Sequence, residues 1–378
     1  MPDSRPLITA LGAALDARRD LIARLHAEGT DAYRLFHGTV EGRPGLTVDR
    51  YGSLILTQSF HGPLSQADEE ALEAFYLEAF PDTDHVYNDR SHANSRVSNP
   101  LPPERLARAE ALREFSELGV KYNVQARHGG QDPWLFLDLR AARRRIMAEA
   151  PEKSVLNVFA YTCGVGVAAA KAGARHVVNV DFAESSLSVG KANARLNTLP
   201  FRPRFVKSDA FAAMRQLSGI GQPKMVRGKH LPPFPALDKH RFDLVFLDPP
   251  RYAKSAFGVV DLVNDYPALF KPALLCTHEG GTLVCCNNVA QVEREAWADQ
   301  LVRSAQKLIY AVHTQLHEGF NIEPDDVYDD YTHLEHHRIG ALVADYAARA
   351  DLPLHWTEIK LLEGDTLVMD LGSQAMTG

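Results

Sequence analysis

The chain of 378 residues contains no run of about 18 or more apolar residues, the length a helix needs to cross a bilayer. Met1 to Asp20 mixes acids among its basic residues and has no apolar centre of the secretory-leader type, so a cytoplasmic protein without a membrane partner is expected. Cysteine is scarce: Cys163, Cys276, Cys285 and Cys286 show no paired C-x-x-C spacing. That argues against a zinc site and a secreted disulfide framework, and no metal is expected. Net positive charge is missing as well, with a formal charge of −7 and a pI near 6.1. Non-specific nucleic-acid binding relies on many phosphate contacts, so any RNA must be met by a local basic patch. A full G-x-G-x-x-G is also absent, Cys163 occupying the first glycine's place, which counts against a nicotinamide-dependent dehydrogenase.

What is present is enough for two domains, since the chain is longer than one core usually grows and 45% of it is hydrophobic. Leu11, Leu15, Ile22 and Leu25 fall at helical spacing and predict an amphipathic helix over Leu7 to Ala27. Strand-like runs between Arg34 and Phe60 are separated by plausible turns at Gly42 to Gly45 and Tyr51-Gly52. A helix over Gln66 to Phe80 and a strand over His85 to Asn88 complete a small α+β module, with the junction expected at Pro100-Leu101-Pro102-Pro103. The expected domains are residues 1–112 and 113–378, the second introduced by a hairpin from Gly119 to Ala126 and Trp134 to Leu137.

From Val155 onward, apolar strand candidates alternate with helices, the signature of a doubly wound parallel α/β sheet: Val155 to Phe159, Val177 to Val180, Arg204 to Val206, Leu244 to Leu247 and Thr282 to Cys286. An aperiodic insertion rich in Pro, Gly and Lys spans Gly219 to Arg241. Terminal strands are expected over Leu354 to Ile359 and Thr366 to Leu371. Between them and the sheet lie an acidic stretch, Glu323 to Asp330, and His333, Glu335, His336 and His337, read as a solvated helix end rather than a metal site.

Three stations carry chemistry. The first strand runs into a small-residue turn, where backbone can approach a ligand and a helix N-terminus can bind a carboxylate or phosphate. The next strand ends in Asp181, roughly twenty residues on, where a ribose-binding acid belongs. The third station is Asp248-Pro249-Pro250, whose prolines cannot continue a ladder and fix a rigid exit at the carboxyl edge.

Taken together, Asn157-x-Phe159-x-Tyr161-Thr162-x-Gly164, Asp248-Pro249-Pro250 and the preceding Leu135-Phe136-Leu137-Asp138-Leu139-Arg140 resemble the class I S-adenosylmethionine-dependent RNA methyltransferases, in particular the subgroup acting on large-subunit (23S) ribosomal RNA. The resemblance covers about residues 115 to 310. The stretch Pro44-Gly45-Leu46-Thr47-Val48-Asp49-Arg50-Tyr51 is similar to that subgroup's accessory domain. It implies a Rossmann-like methyltransferase sheet with a smaller N-terminal α+β domain, S-adenosyl-L-methionine as cofactor, and RNA, ribosomal or in a ribosomal-subunit precursor, as partner. The sequence does not indicate an oligomeric state.

The loop Phe159, Ala160, Tyr161, Thr162, Cys163 and Gly164, with Asn157, is assigned to the amino-acid end of the cofactor, and so are Asp138 and Arg140, whose bland alternative is a surface ion pair. Asp181 and Phe182 are assigned to the ribose region, and Asp209 with Ala210 to adenine, Asp209 serving equally as a helix N-cap. Asp248, Pro249 and Pro250 would hold the acceptor base, and Tyr252 would stack on it or be an ordinary buried tyrosine. Basic clusters around Arg140, Arg143, Arg144 and Arg145, and around Lys224, Arg227, Lys229 and His230, suggest RNA contacts at Arg143, Arg144 and Lys229. Each cluster is alternatively a solvated face.

Methylation of cytosine C5 needs a thiolate nucleophile, for which Cys285 and Cys286 are candidates. In relatives using that chemistry the cysteine stands where Asn288 is here, and Asn287-Asn288 resembles relatives that methylate guanine N7. A guanine nitrogen is therefore the expected acceptor, with cytosine C5 the alternative. A non-catalytic RNA-binding protein retaining the fold is the alternative of another class.

Overall fold

The computed structural model describes residues 5–92, 100–129, 132–221, 223–226, 228–287, 289, 291–293, 296–305, 356–361 and 366–372. They fall into two compact units, Met1–Arg140 with Ser188–Thr198, and Ala141–Leu187 with Leu199–Gly378.

In the first unit, helix α1 (Arg5–Ala27) precedes strands β1 (Ala32–Phe36), β2 (Leu46–Tyr51) and β3 (Leu54–Ser59), helix α2 (Gln66–Ala79) and strand β4 (Asp84–Asp89). The sheet order is β1-β2-β3-β4, antiparallel except for the parallel pair β3 and β4. Ser65 caps α2, its hydroxyl accepting from the Asp68 N–H. Leu7, Leu11, Ala14 and Leu25 of α1 and Leu72 and Tyr76 of α2 form a core with Tyr33, Leu35, Val48 and Ile55 of the sheet. All six residues of β3 are buried, which erases the alternation of a half-exposed strand.

The expected junction at Pro100 to Pro103 is a helix start: Pro102 is the N-cap of α3 (Pro103–Glu110), and proline at the first helical position forfeits no hydrogen bond. The hairpin also differs from expectation. Strand β5 (Arg113–Glu117) pairs with β6 (Val120–Val124) across Leu118-Gly119, both with positive φ, whereas Leu137–Leu139 is a 3-10 turn. The hairpin belongs with the first unit, through Ser116 N–H on Asp31, Leu118 N–H on the Thr30 hydroxyl and Gly119 N–H on the Gly29 carbonyl. Gly52 lets the β2–β3 turn approach this hairpin, since a Cβ there would lie 2.6 Å from the Glu114 carbonyl oxygen.

The second unit is built on a seven-stranded sheet. Its elements are α4 (Arg140–Glu149, beginning at the last residue of the first unit), β7 (Ser154–Val158), α5 (Gly164–Lys171), β8 (His176–Asp181), α6 (Glu184–Leu196, shared with the first unit), β9 (Arg204–Lys207) and α7 (Ala210–Ser218). They continue with β10 (Met225–Val226), β11 (Lys229–His230), β12 (Phe242–Leu247), β13 (Tyr252–Ser255), β14 (Gly258–Asp261), α8 (Pro267–Leu275), β15 (Thr277–Cys286), β16 (Trp356–Leu361) and β17 (Thr366–Gly372). The order is β16-β17-β15-β12-β7-β8-β9, parallel from β15 to β9, with β17 antiparallel to β15 and to β16. The chain winds outward from β7 in both directions, so the topological switch lies between β7 and β12, where such sheets bind ligands outside the carboxyl ends.

One sheet face packs Leu156, Val158, Val180, Val245, Leu247, Leu283 and Cys285 against α7 and α8 through Met214, Leu217, Leu269 and Phe270. On the other face α5 closes on β8 at Gly166, where a Cβ would lie 1.9 Å from Asn179 Oδ1. Among the described residues no helix is long and apolar enough to cross a membrane. The acidic stretch from Glu323 to Asp330 and the histidines at 333, 336 and 337 lie outside the described residues.

Candidate active site

Parallel register brings the carboxyl ends of five strands to one edge, with Leu247 opposite Val158 and Cys285, and Val180 opposite Val158 and Val206. The turn after β7 is the most contorted backbone there. Phe159, Tyr161 and Cys163 all have left-handed φ, between 49° and 61°. Each non-glycine residue in that region costs about 1 to 2 kcal/mol, and such strain persists where the surroundings impose the loop's path. Cys163, fully buried, is the N-cap of α5 in left-handed conformation, where glycine would be unstrained.

Asp181 closes this turn. Its Oδ2 accepts the Tyr161 N–H and its Oδ1 the Ala183 N–H, both at 2.8 Å. Burial pushes its pKa above the ordinary carboxylate range, an effect the N–H donors of Ala183, Tyr161 and Phe182 partly offset. An ionised carboxylate has about four acceptor positions, so with three N–H donors one is left for a hydroxyl.

Asp209 does two things. Oδ1 caps α7 by accepting from the Phe211 and Ala212 N–H groups, and Oδ2 accepts from Ala256 N–H at 3.1 Å. Around the two acids lies a cleft lined by Phe159, Val180, Asp181, Phe182, Ser208, Asp209, Ala210, Phe211 and Ser255, with about 300 Å³ of space when the open solvent at its mouth is included. It offers two carboxylates for polar hydrogens and aromatic walls for a flat ring. Phe182 is 68% exposed at its rim.

The β13–β14 hairpin was not read from the sequence, where Ser208, Phe211 and Ser255 also passed unnoticed. It delivers Ser255 to the cavity and Phe257 against Phe211 and Phe234, ring centroids 6.0 and 6.1 Å apart. The alternation Tyr252-Ala253-Lys254-Ser255 ahead of Gly258 was the available signal.

Asp248 directly follows β12 beside the switch point, and is followed by buried Pro249 and exposed Pro250. Tyr252 is half-exposed with the Arg251 guanidinium 5.3 Å above its ring. Cys285 lies in the core, where burial pushes its thiol pKa up to about 12, and Cys286 is buried as well. The buried Tyr266 hydroxyl donates to the Cys286 carbonyl, and Asn287 is buried with its amide toward the Leu262 carbonyl. Asn288 lies outside the described residues.

Several assigned residues are not gathered into this cavity. Asn157 is buried in mid-strand, its amide donating to Asn179 Oδ1 at 2.9 Å. Asp138 and Arg140 belong to the first unit, and Arg140 is committed to Glu117 at 2.9 Å and to the Ala32 carbonyl. Ala160, Tyr161, Thr162 and Gly164 form the turn without lining the cavity. Arg143 needs correction as an RNA contact: it is 1% exposed, on the buried face of α4 with Ala142 and Ile146, so its guanidinium cannot meet a phosphate. Arg144 is exposed. Lys229 lies in β11, its side chain outside the description, and Arg227 is outside the described residues.

The family model for S-adenosylmethionine-dependent methyltransferases matches residues 104–325, more than half of the chain. The chain belongs to that family. The chemistry of the cavity fits the family's cofactor, S-adenosylmethionine: Asp181 keeps an acceptor position for a ribose hydroxyl, and Asp209 with Phe182 and Phe211 suits an amino-bearing aromatic ring. Among curated relatives, "Ribosomal RNA large subunit methyltransferase I" of Vibrio cholerae is 30% identical over 281 residues, and that of Aliivibrio fischeri 29% identical over 280. Each match covers 71% of this chain and 63% of the relative. The fold is shared with a solved protein assigned as a methyltransferase and complexed with SAH, at TM-score 0.61, 24% identity, and coverage of 79% of this chain and 70% of that one. A solved Streptococcus mutans protein assigned as SAM-dependent gives TM-score 0.60 with the same identity and coverage.

Proposed function

We propose that the protein transfers a methyl group from S-adenosylmethionine to RNA in the cytoplasm, with large-subunit ribosomal RNA or its precursor as substrate and a guanine nitrogen, N7, as acceptor. The observation that carries this reading is the meeting, at one sheet edge, of a cavity with two carboxylates and the rigid Asp248-Pro249-Pro250 exit. The relatives' names supply the RNA class.

When bound, S-adenosylmethionine supplies a methyl group on an electron-poor sulfonium. Asp181 would hold a ribose hydroxyl, its carboxylate kept still by the Tyr161 and Ala183 N–H groups. Asp209 would accept from the adenine amine, and Phe182 and Phe211 would offer apolar surface to the ring. The strained turn from Phe159 to Gly164 would hold the amino-acid end. Asp248 and the Pro249 and Pro250 carbonyls orient the acceptor base, and Tyr252 stacks on it. Guanine N7 has its own lone pair, so alignment suffices, worth up to about 7 to 11 kcal/mol in ideal geometry.

Cytosine C5 chemistry would need a thiolate, and a thiol pushed up to about 12 keeps its proton at neutral pH, so Cys285 is unsuited to it. Residues 1–112 act as an RNA-binding accessory, and outside them the exposed Arg144, together with Lys229, contacts phosphates. Neutralising either should lower the slope of log affinity against log salt by about one unit.

The deciding experiment is nucleoside mass spectrometry of large-subunit ribosomal RNA from cells with and without the protein. Loss of 7-methylguanosine from one site is the expected result. Loss of 5-methylcytidine overturns the acceptor assignment, and an unchanged spectrum overturns the substrate.

A further inference from the structure

The β13–β14 hairpin has two faces with different occupations. Its ladder pairs Tyr252 with Asp261, Ala253 with Val260, Lys254 with Val259 and Ser255 with Gly258. Directly paired residues share a face and successive residues alternate, so Ser255, Gly258 and Val260 fall on one face and Tyr252, Val259 and Asp261 on the other. The first face is committed: Val260 is buried in the core and Ser255 lines the cavity. The second is largely open, with Val259 58% and Tyr252 50% exposed and Asp261 turned to the Val263 N–H and the Asn264 amide. Val259 is the diagonal neighbour of Tyr252, a spacing of about 7 to 8 Å that a flat ring can bridge.

We propose that this outer face is the docking platform for the nucleotide next to the acceptor in single-stranded RNA, with Val259 as its specificity-determining residue. The inference rests on the RNA reading above. The platform starts two residues after Pro250, so a strand whose acceptor base enters at Asp248 passes over it next. Arg251, exposed and over the Tyr252 ring, adds a cation for the adjoining phosphate. With Tyr252 stacked on the acceptor base, the apolar Val259 side chain diagonal to it and the Arg251 guanidinium match the next base and its phosphate, and apolar contact of this kind tolerates many bases while discriminating by size. Phosphate-bearing RNA, and not an apolar protein segment, is the occupant because this cation and the acceptor loop flank the apolar surface. The platform is also tied to the cofactor cavity, since the Ala256 N–H at the hairpin tip is held by Asp209.

The test is Val259→Asp in the full chain, with in vitro transcribed large-subunit ribosomal RNA and labelled S-adenosylmethionine. KM for the RNA should rise about 5-fold or more while kcat changes by less than about 2-fold and cofactor affinity in calorimetry is unchanged. Val259→Phe should restore or lower KM. If Val259→Asp fails to fold or to bind cofactor, Val259→Ser decides by the same KM criterion. An unchanged KM, or a fall in kcat alone, overturns the platform. Absence of methyl transfer by the unaltered protein overturns the RNA reading, and the platform with it.

Discussion

The two ends of the same parallel sheet treat their acids in opposite ways. At the amino end Asp243 is paired with a cation: its Oδ2 accepts from the Ser154 N–H at 2.7 Å, the Ser154 hydroxyl at 2.8 Å and Arg175 at 2.9 Å. Ser154 and Arg175 together hold its pKa below the ordinary range against the opposing effect of burial. His176 and His240 pack there against Phe242, ring to ring. At the carboxyl end Asp181 is more buried and has only backbone donors, and no cation pairs with it among the described residues. An acid with a cation and a closed set of donors belongs to the architecture. One held rigid by N–H groups but left electrically uncompensated is set up to meet a ligand.

Asp248→Ala should have the largest effect, a fall in kcat of about 100-fold or more with cofactor affinity within about 3-fold, because positioning of the acceptor is lost. Single-turnover kinetics and calorimetry read the two quantities separately, and an equal loss in both would move Asp248 to the cofactor. Asp181→Ala should weaken cofactor binding by roughly 10- to 150-fold, the loss of a charged acceptor worth about 1.5 to 3 kcal/mol. Asp243→Ala should leave that affinity alone and cost about 1 to 3 kcal/mol of stability by orphaning Ser154 and Arg175. If Asp243→Ala weakened the cofactor as much as Asp181→Ala, the contrast between the two ends would fail.

Acid should separate the ends as well. Asp181, with its folded pKa raised, takes up a proton above the usual carboxylate range near 3.8, so cofactor affinity is expected to fall there first. Asp243, with its folded pKa lowered, contributes stability that is present above 3.8 and lost only as pH falls through its folded value. His176 and His240, both lowered mainly by burial, add a stability loss that begins below 6.5. Titration calorimetry and thermal melts across pH 3 to 7 check both, and Asp181→Asn should flatten the affinity profile alone. The smallest effect is expected from Cys285→Ser: turnover within about 2-fold and a modest loss of stability from core packing. Abolished transfer in a folded, cofactor-binding variant would restore the cytosine reading.

The succession of parallel strands along the chain and the place of Asp181, Asp209 and Asp248 at strand ends were legible in the sequence. Each sits where a run of β-branched and apolar residues stops, a local pattern that needs no knowledge of neighbours. The amphipathic α1 and the helix from Gln66 were legible for the same reason, whereas the order of the strands in the sheet was not. Only the tertiary structure decided which charged groups were spent. Arg143 and Arg144 are adjacent and chemically alike, yet helix phase buries one and exposes the other. Arg140, read as a cofactor contact, is paired with Glu117, 23 residues away, a partner that no local pattern announces. The β13–β14 hairpin, and with it Ser255 in the cavity and Val259 outside, depends on a ladder that a short and weakly apolar segment does not announce. Periodicity reports burial along one element. Pairing of charges and closure of a cavity depend on elements far apart in the chain, which only folding brings within hydrogen-bonding distance.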